Sequence, residues 1–151
     1  MPGSKRLTFG VMILGVMGIL LPFRQARAGG APPDAFEQVK RLGRGVNILG
    51  YDPIWDNARA ARFKEKHFKS IRDAGFQAVR INLHALQRMG PTSDYKLDER
   101  WLGTLDWAVK NALANGLMVI LDLHNYEDVA EDPAAFKPRV LAFWKQIGER
   151  F

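Results

Sequence analysis

Cysteine is absent from the sequence. Its absence excludes disulfide bonds, thiolate zinc sites and cysteine nucleophiles, so an exported domain must rely on its hydrophobic core for stability. The sequence also has no stripe of lysine and arginine with interleaved aromatic residues, which argues against nucleic acid as a partner. After residue 23, no apolar run is long enough to span a bilayer.

The first 28 residues have the layout of a secretory signal peptide. Lys5 and Arg6 precede a mostly apolar run over residues 7–23, and residues 26–28 (A-R-A) place small residues where a signal peptidase reads them. An uncleaved membrane anchor is the alternative, because the run is near the lower length limit for spanning. We expect cleavage after Ala28, a secreted or periplasmic protein, and no stable membrane association after cleavage.

Removal of this segment changes the charge balance. The whole chain has a net charge of +6, and residues 1–28 hold four basic residues and no acidic ones, so residues 29–151 have a net charge of +2. Residues 29–42 are predicted to be a flexible start that contains a short helix from residue 34. Residues 43–151 are predicted to form the folded part.

From residue 44 onward, short apolar runs alternate with helical patterns. Strands are predicted at 44–49, 78–83 and 117–123, and helices at 57–74, 98–115 and 138–151, the last after an acidic loop over 127–132. Gly75 and Gly116 follow two of these helices as the expected C-terminal stops. Strands that are each followed by a helix indicate a parallel sheet covered by helices.

Two architectures have this order of elements, the open doubly wound sheet and the closed (β/α)8 TIM barrel. A doubly wound nucleotide-binding sheet expects a glycine-rich turn after its first strand. This chain has the bulky segment 50–55 (GYDPIW) there instead. The pattern therefore favours an α/β fold of the TIM-barrel type, with only the first three β/α units present.

All three predicted strand ends are polar, and functional side chains of a β/α barrel stand at the carboxyl ends of its strands. The polar residues are Asn47 on the first strand, Arg80, Asn82 and His84 at alternate positions on the second, and Asp122 and His124 on the third. A charged arginine among apolar strand residues is costly without a carboxylate, so Arg80 predicts an anionic partner in the complete fold. A divalent metal bound by Asp122, His124 and His84 is an alternative use of these residues.

At these residues the sequence resembles glycoside hydrolase family 5, the cellulase-type endoglucanases. The resemblance is carried by residues 44–47 (RGVN), 75–81 (GFQAVRI) and 119–126 (VILDLHNY), in this order and at this spacing. It extends over about residues 43–151. It implies a partial catalytic barrel from a secreted retaining hydrolase of β-1,4-linked polysaccharide, a glucan or a mannan, that uses no cofactor and no metal.

The resemblance also implies roles for single residues. Arg80 matches the strand-two arginine that holds the nucleophile carboxylate, and His124 matches the strand-three histidine beside the scissile bond. Asn125 and Tyr126 fall where the family continues this loop toward the glycan substrate. Asn47 matches a structural asparagine at the barrel mouth.

The tryptophans are interpreted by their position. Trp55, in the loop after the first strand, is a candidate sugar-stacking ring, and loop packing is the alternative. Trp101, Trp107 and Trp144 lie at helical spacing and are expected to pack helices against the barrel.

The family's two catalytic glutamates have no counterpart in this sequence. The family places its acid/base in an Asn-Glu-Pro motif after strand four and its nucleophile after strand seven, and this sequence contains no Asn-Glu-Pro. We therefore expect an incomplete fragment that is inactive alone, in which Arg80 lacks its carboxylate. Val46, Val79 and Val119 are expected to face the uncovered barrel interior. A non-catalytic carbohydrate-binding or interaction remnant is the alternative function.

The signal layout makes a prediction about processing. Expressed in a secreting bacterial host, the protein should accumulate outside the cytoplasm with a new amino terminus at Gly29, which terminal sequencing would detect. A soluble cytoplasmic product that retains Met1 would contradict the prediction.

Overall fold

The computed structural model describes residues 34–151, so the predicted signal peptide and residues 29–33 lie outside the described residues. The helices are α1 (Ala35–Leu42), α2 (Glu65–Asp73), α3 (Glu99–Ala114), α4 (Tyr126–Glu131) and α5 (Pro133–Arg150). The strands are β1 (Gly45–Ile48), β2 (Ala78–Leu83) and β3 (Met118–Leu123), and short 3-10 turns occupy Pro53–Trp55, Ala58–Ala60 and Leu86–Arg88. Three consecutive β/α units follow the short first helix.

The three strands form one parallel sheet in the order β1-β2-β3. Val46 aligns with Val79, and Val79 aligns with Val119, so the predicted strand centres are in register. The carboxyl ends of all three strands therefore lie at one edge of the sheet, where side chains from different strands can meet. This arrangement confirms the predicted parallel β/α order.

The two faces of the sheet differ in chemistry, because successive side chains of a strand point to opposite faces. Val79, Ile81 and Leu83 have no exposed surface and belong to the core beneath the helices. Arg80 and Asn82 alternate with them and lie on the other face. The expectation that the strand-centre valines face the barrel interior was wrong: the helix-covered face needs the apolar residues, and the charged Arg80 takes the other face.

Two helix boundaries differ from those predicted. Asn57 caps only the short 3-10 turn that follows it, by accepting the N–H of Arg59, and α2 begins later, at Glu65. The predicted acidic loop contains α4, and α5 begins at Pro133 with Asp132 accepting the N–H of Ala135. In both places a polar side chain satisfies backbone N–H groups that the helix itself leaves unpaired.

Two helices end as the sequence predicted. Gly75 and Gly116 follow α2 and α3 with φ values of 83° and 69°. Glycine adopts this left-handed conformation without a steric cost, which stops the helix and turns the chain into the next strand.

Aromatic rings fill the layer between the sheet and the helices. Phe68 on α2 is fully buried, with its ring centroid 5.0 Å from that of Phe63 and 5.6 Å from that of Trp107. Trp101 is buried on α3 as expected, whereas Trp144 on α5 is exposed. Within residues 34–151, no helix combines the length and apolarity needed to cross a membrane.

The buried ring of Phe68 makes a prediction about stability. Phe68→Ala should lower the free energy of unfolding by about 3–5 kcal/mol, because it removes buried area and leaves a cavity. Phe36→Ala on α1 is the matched control, since Phe36 is exposed and its removal should change stability by less than about 0.5 kcal/mol. Urea unfolding followed by circular dichroism measures both, and equal losses would contradict the described packing of α2.

Candidate functional site

Polar side chains gather on the open face of the sheet near the carboxyl ends of the strands. Asn82 on β2 is directly opposite Asp122 on β3, and Arg80 lies two residues before Asn82 on the same face. Asn47 on β1 is opposite Arg80. The parallel register thus brings together the residues that sequence analysis selected on three separate strands.

Asp122 is the centre of this group, and one of its carboxylate oxygens contacts three side chains. Its Oδ2 lies 2.9 Å from a terminal guanidinium nitrogen of Arg80, 3.1 Å from Nδ2 of Asn82 and 2.8 Å from Nδ1 of His124. The Asp122 side chain is 19% exposed. An ionised carboxylate only accepts hydrogen bonds, so the three neighbours are its donors and are held in place by it.

The contact with Asp122 also fixes the ring of His124. Because the carboxylate accepts, Nδ1 of His124 carries the hydrogen. Its other ring nitrogen, Nε2, is then left to form a hydrogen bond with a hydroxyl group at the mouth of the site.

The partner of Arg80 differs from the one expected. From the sequence, Arg80 was expected to lack a carboxylate partner within this chain, but Asp122 forms an ion pair with it. The missing information was the register, since only the pairing of β2 with β3 places Asp122 beside Arg80. The sequence did contain a signal for this ion pair, because Arg80 and Asp122 carry opposite charges and were predicted on consecutive strands.

Asn125 lies just beyond β3, and its side chain points into the protein. Its Oδ1 accepts the backbone N–H groups of Ala85 at 2.8 Å and Leu86 at 3.2 Å, and its Nδ2 donates to Oε1 of Gln87 at 3.0 Å. Only 7% of Asn125 is exposed. These bonds attach the loop after β2 to the end of β3, so Asn125 positions a loop of the mouth from inside. This differs from the predicted contact of Asn125 with the glycan, because its amide is already engaged by the loop.

Tyr126, the next residue, is exposed. Its ring packs edge-on against His124 with centroids 5.4 Å apart, and its hydroxyl donates to Oε1 of Glu127 at 3.2 Å. The hydrogen bond to Glu127, together with the negative charge of that carboxylate, raises the pKa of the Tyr126 phenol. The phenol therefore remains an uncharged hydrogen-bonding group on the rim.

Trp55 has the packing role that the sequence analysis gave as the alternative. The side chain is 9% exposed, its ring stacks on Trp101 at 5.3 Å, and its Nε1 donates to the carbonyl oxygen of Leu49. A buried ring that is already stacked on another ring has little open face for a sugar. The placement therefore argues against the predicted sugar-stacking role.

Two more ring side chains lie at the mouth. Tyr51 was missed in the sequence, and His84 was given no role from the family resemblance. Tyr51 is 80% exposed, and its ring centroid is 4.7 Å from that of His84, which is 5.5 Å from that of His124. A continuous row of four rings thus crosses the strand ends, in the order Tyr51, His84, His124 and Tyr126. We call it the ring row. The position of Tyr51, directly after the first strand, was the signal that could have identified it.

Shallow recesses lie along the ring row. One of about 300 Å³ is lined by Asn47, Asn82, Tyr51 and His124, among others. Another of about 400 Å³ lies between Tyr51, His124 and Tyr126. Aromatic rings beside convergent hydrogen-bonding groups are the usual composition of a small-molecule site.

The metal alternative has little support from this geometry. Within residues 34–151, no group of three or more His, Asp or Glu side chains is arranged to hold an ion. The Asp122 oxygen that would bind a cation already contacts the positive guanidinium of Arg80. A divalent ion there would be repelled by that charge.

Comparison with known proteins gives the family. Residues 39–151 match the profile of Cellulase (glycosyl hydrolase family 5). The chain is 31% identical over 131 residues to a xyloglucan-specific endo-beta-1,4-glucanase of Bacteroides ovatus, with 83% of this chain and 25% of the relative covered. It is 28% identical over 123 residues to Endoglucanase H of Acetivibrio thermocellus, with 78% of this chain and 13% of the relative covered.

Solved structures agree with the sequence comparison. Cel5A of Thermotoga maritima, solved in complex with cellobiose, matches with a TM-score of 0.69 and 36% identity, over 78% of this chain and 38% of that chain. The chain thus spans well under half the length of the relatives that it matches, and its three β/α units are part of a TIM barrel. Over residues 39–151, the chain belongs to the cellulase family, glycosyl hydrolase family 5.

Proposed function

We propose that the whole protein is a secreted or periplasmic retaining glycoside hydrolase of β-1,4-linked polysaccharide, a glucan or a mannan. The observation that carries the proposal is the contact of Asp122 with Arg80, Asn82 and His124 at the carboxyl ends of neighbouring strands. Two matched structures of Thermotoga maritima Cel5A were solved with cellobiose and with mannotriose. Those ligands support the choice of a glucan or a mannan.

In this proposal, Arg80 holds the nucleophile carboxylate of the whole enzyme. A guanidinium has five N–H donors, and the ion pair with Asp122 engages one terminal nitrogen. The side chain is partly exposed on the open face, where a further carboxylate can approach it. Asp122 then acts as the positioning residue, because it fixes the plane of the guanidinium before the nucleophile is bound.

His124 and Tyr126 are proposed to bind the sugar next to the scissile bond. The Nε2 atom of His124 can form a hydrogen bond with a sugar hydroxyl, since Nδ1 is engaged by Asp122. Tyr126 adds an exposed ring and an uncharged phenol beside it. Asn125 and Asn47 support the mouth, Asn125 through its bonds to the loop after β2 and Asn47 through its place beside Arg80.

The chain alone is proposed to be inactive. Retaining hydrolysis uses two carboxyl groups about 5–5.5 Å apart, one as nucleophile and one as acid/base. Asp122 is engaged by Arg80 and His124, and Glu127 accepts from Tyr126. Neither carboxylate is therefore assigned to bond cleavage, and both catalytic glutamates are proposed to come from other parts of the whole enzyme.

A carbohydrate-binding remnant is the second candidate function, and the ring row is the observation that favours it. Tyr51 and Tyr126 are exposed, and aromatic rings can bind sugars without any catalytic carboxylate. The two functions differ in one measurement. The whole protein should release reducing ends from soluble β-glucan in the first case, and bind it without release in the second.

The first prediction of this proposal concerns Arg80 in the whole enzyme. Arg80→Lys keeps the positive charge but removes the planar fork that orients two carboxylates. Turnover on soluble β-glucan should fall on the order of a hundredfold, as is typical when positioning is lost. Reducing-end release measures it, and unchanged turnover in a folded variant would show that Arg80 does not hold the nucleophile.

The second prediction concerns Asp122. Asp122→Asn keeps the shape but removes the charge that holds Arg80 and His124, so the free energy of unfolding should fall by about 1–3 kcal/mol. Asp106→Asn is the matched control, because Asp106 forms a more exposed ion pair with Arg150 that should contribute less than about 1 kcal/mol. Thermal unfolding of both variants tests this, and a larger loss for Asp106→Asn would refute the central role of Asp122.

A further inference from the structure

We propose that Trp55 is a positioning residue: through its hydrogen bond to Leu49, it keeps open the recess beside Asn82. This recess is the one of about 300 Å³ that also has His124 in its wall. The inference rests on the proposed function and adds to it a buried side chain that acts on the site through the backbone.

Leu49, the residue directly after β1, has an unusual backbone conformation. Its φ of 64° lies in the left-handed region. In this region the Cβ of any residue except glycine comes too close to the following carbonyl oxygen. Strain of this kind persists only where the surrounding structure imposes it. The contacts of Leu49 therefore show what imposes the turn.

The left-handed turn removes a leucine side chain from the site. Ile48 is the last residue of β1 and is opposite Ile81 on β2. One more residue of regular strand would put Leu49 opposite Asn82, on the open face of the sheet. Instead, Leu49 is 5% exposed and belongs to the hydrophobic core.

Gly50 takes the place beside Asn82 that the leucine leaves. A Cβ atom added to Gly50 would lie 3.4 Å from Cβ of Asn82, so the lack of a side chain leaves space next to the amide. The recess lies at this point, with Gly50, Asn82 and His124 in its wall. The turn at Leu49 therefore sets how much room a ligand has beside His124.

Trp55 holds the turn from inside the protein. Its Nε1 donates to the carbonyl oxygen of Leu49, and the backbone N–H of Asp52 reaches the same oxygen at 3.4 Å. The bond from Asp52 is long, so the indole is the main donor. The indole is itself fixed, because it stacks on Trp101 of α3 with centroids 5.3 Å apart and both rings are buried.

Loss of the indole N–H would release this turn. The carbonyl of Leu49 would retain the long bond from Asp52, and the chain could relieve its strain by returning to a negative φ. The side chain of Leu49 would then turn toward Asn82 and narrow the recess. A sugar held by His124 would be displaced from the reacting groups, which lowers turnover.

The test makes Trp55→Phe in three backgrounds of the whole enzyme: the unmodified protein, Leu49→Ala and Leu49→Gly. Trp55→Phe keeps a ring that can stack on Trp101 but has no N–H to donate. Leu49→Ala and Leu49→Gly both remove the buried leucine side chain, but only glycine adopts a left-handed φ without strain. Leu49→Ala is therefore the matched control, and each Trp55→Phe enzyme is compared with its own background.

NMR signals of the Asn82 amide and the His124 ring report the geometry of the site, and kcat on soluble β-glucan reports its function. In the unmodified and Leu49→Ala backgrounds, Trp55→Phe should shift these signals and lower kcat about tenfold, as for a modest misplacement of substrate. In the Leu49→Gly background, the signals should stay in place and kcat should change by less than about twofold, because the turn persists without the indole.

Gly50→Ala tests the recess without changing the core. The added methyl group would lie 3.4 Å from Cβ of Asn82, an ordinary contact distance, so it fits but occupies the recess. We expect kcat/KM to fall about tenfold, as for a misfit of one carbon atom in a binding pocket. Unchanged kinetics would show that the room beside Asn82 does not matter, and the inference would be wrong.

The other outcomes are equally decisive. If Trp55→Phe leaves the signals of Asn82 and His124 unchanged in the unmodified protein, Trp55 only packs and is not a positioning residue. Equal shifts in all three backgrounds would also refute the inference, since strain at Leu49 would then play no part. If the unmodified protein does not hydrolyse β-glucan, the proposed function fails, and the NMR comparison still decides whether Trp55 positions the site.

Discussion

Asp122 stands on the sheet face that the helices leave uncovered, where a single oxygen accepts from Arg80, Asn82 and His124. Each donor would be misplaced without it. An arginine in a strand needs a countercharge, a buried amide needs an acceptor, and an imidazole needs a partner that selects its tautomer. One carboxylate meets the three requirements at once, so the geometry at the strand ends depends on it.

The parallel register makes this arrangement possible. Asn82 and Asp122 are opposite each other, and Arg80 precedes Asn82 by one full period of the strand. A shift of one residue in the pairing of β2 with β3 would send Arg80 toward the helices and an apolar residue to the open face. The burial of Val79, Ile81 and Leu83 therefore fixes the register, and the register fixes the site. The same pairing of β2 with β3 therefore determines both the packing of the core and the geometry of the site.

Local signals in the sequence predicted the strands, the parallel order and the glycine stops at Gly75 and Gly116, because these depend on residues close together in the chain. The need of Arg80 for an anion was also predictable, since it follows from the cost of burying a charge. Its partner Asp122 was not identified, because their contact depends on non-local pairing between strands. For a similar reason, the sequence did not decide that Trp55 packs inward while Tyr51 stays exposed. The sequence of the loop alone does not predict whether Tyr51 or Trp55 is buried. The outcome depends on Trp101, a residue distant in sequence, which stacks on Trp55.

The side chains of the mouth form two groups, one that hydrogen-bonds the loop backbone and one that is exposed to solvent. Asn125 and Asp52 satisfy backbone N–H groups and thereby fix the loops after β2 and β1. Because those bonds hold the loops, Tyr51 and Tyr126 can leave their rings exposed without contributing to the core. Exposed aromatic surface contributes little to folding, so the sugar contacts proposed for these rings do not compete with the core. In the proposed function, the polar residues that hold the loops and the rings that face solvent are two parts of one binding surface.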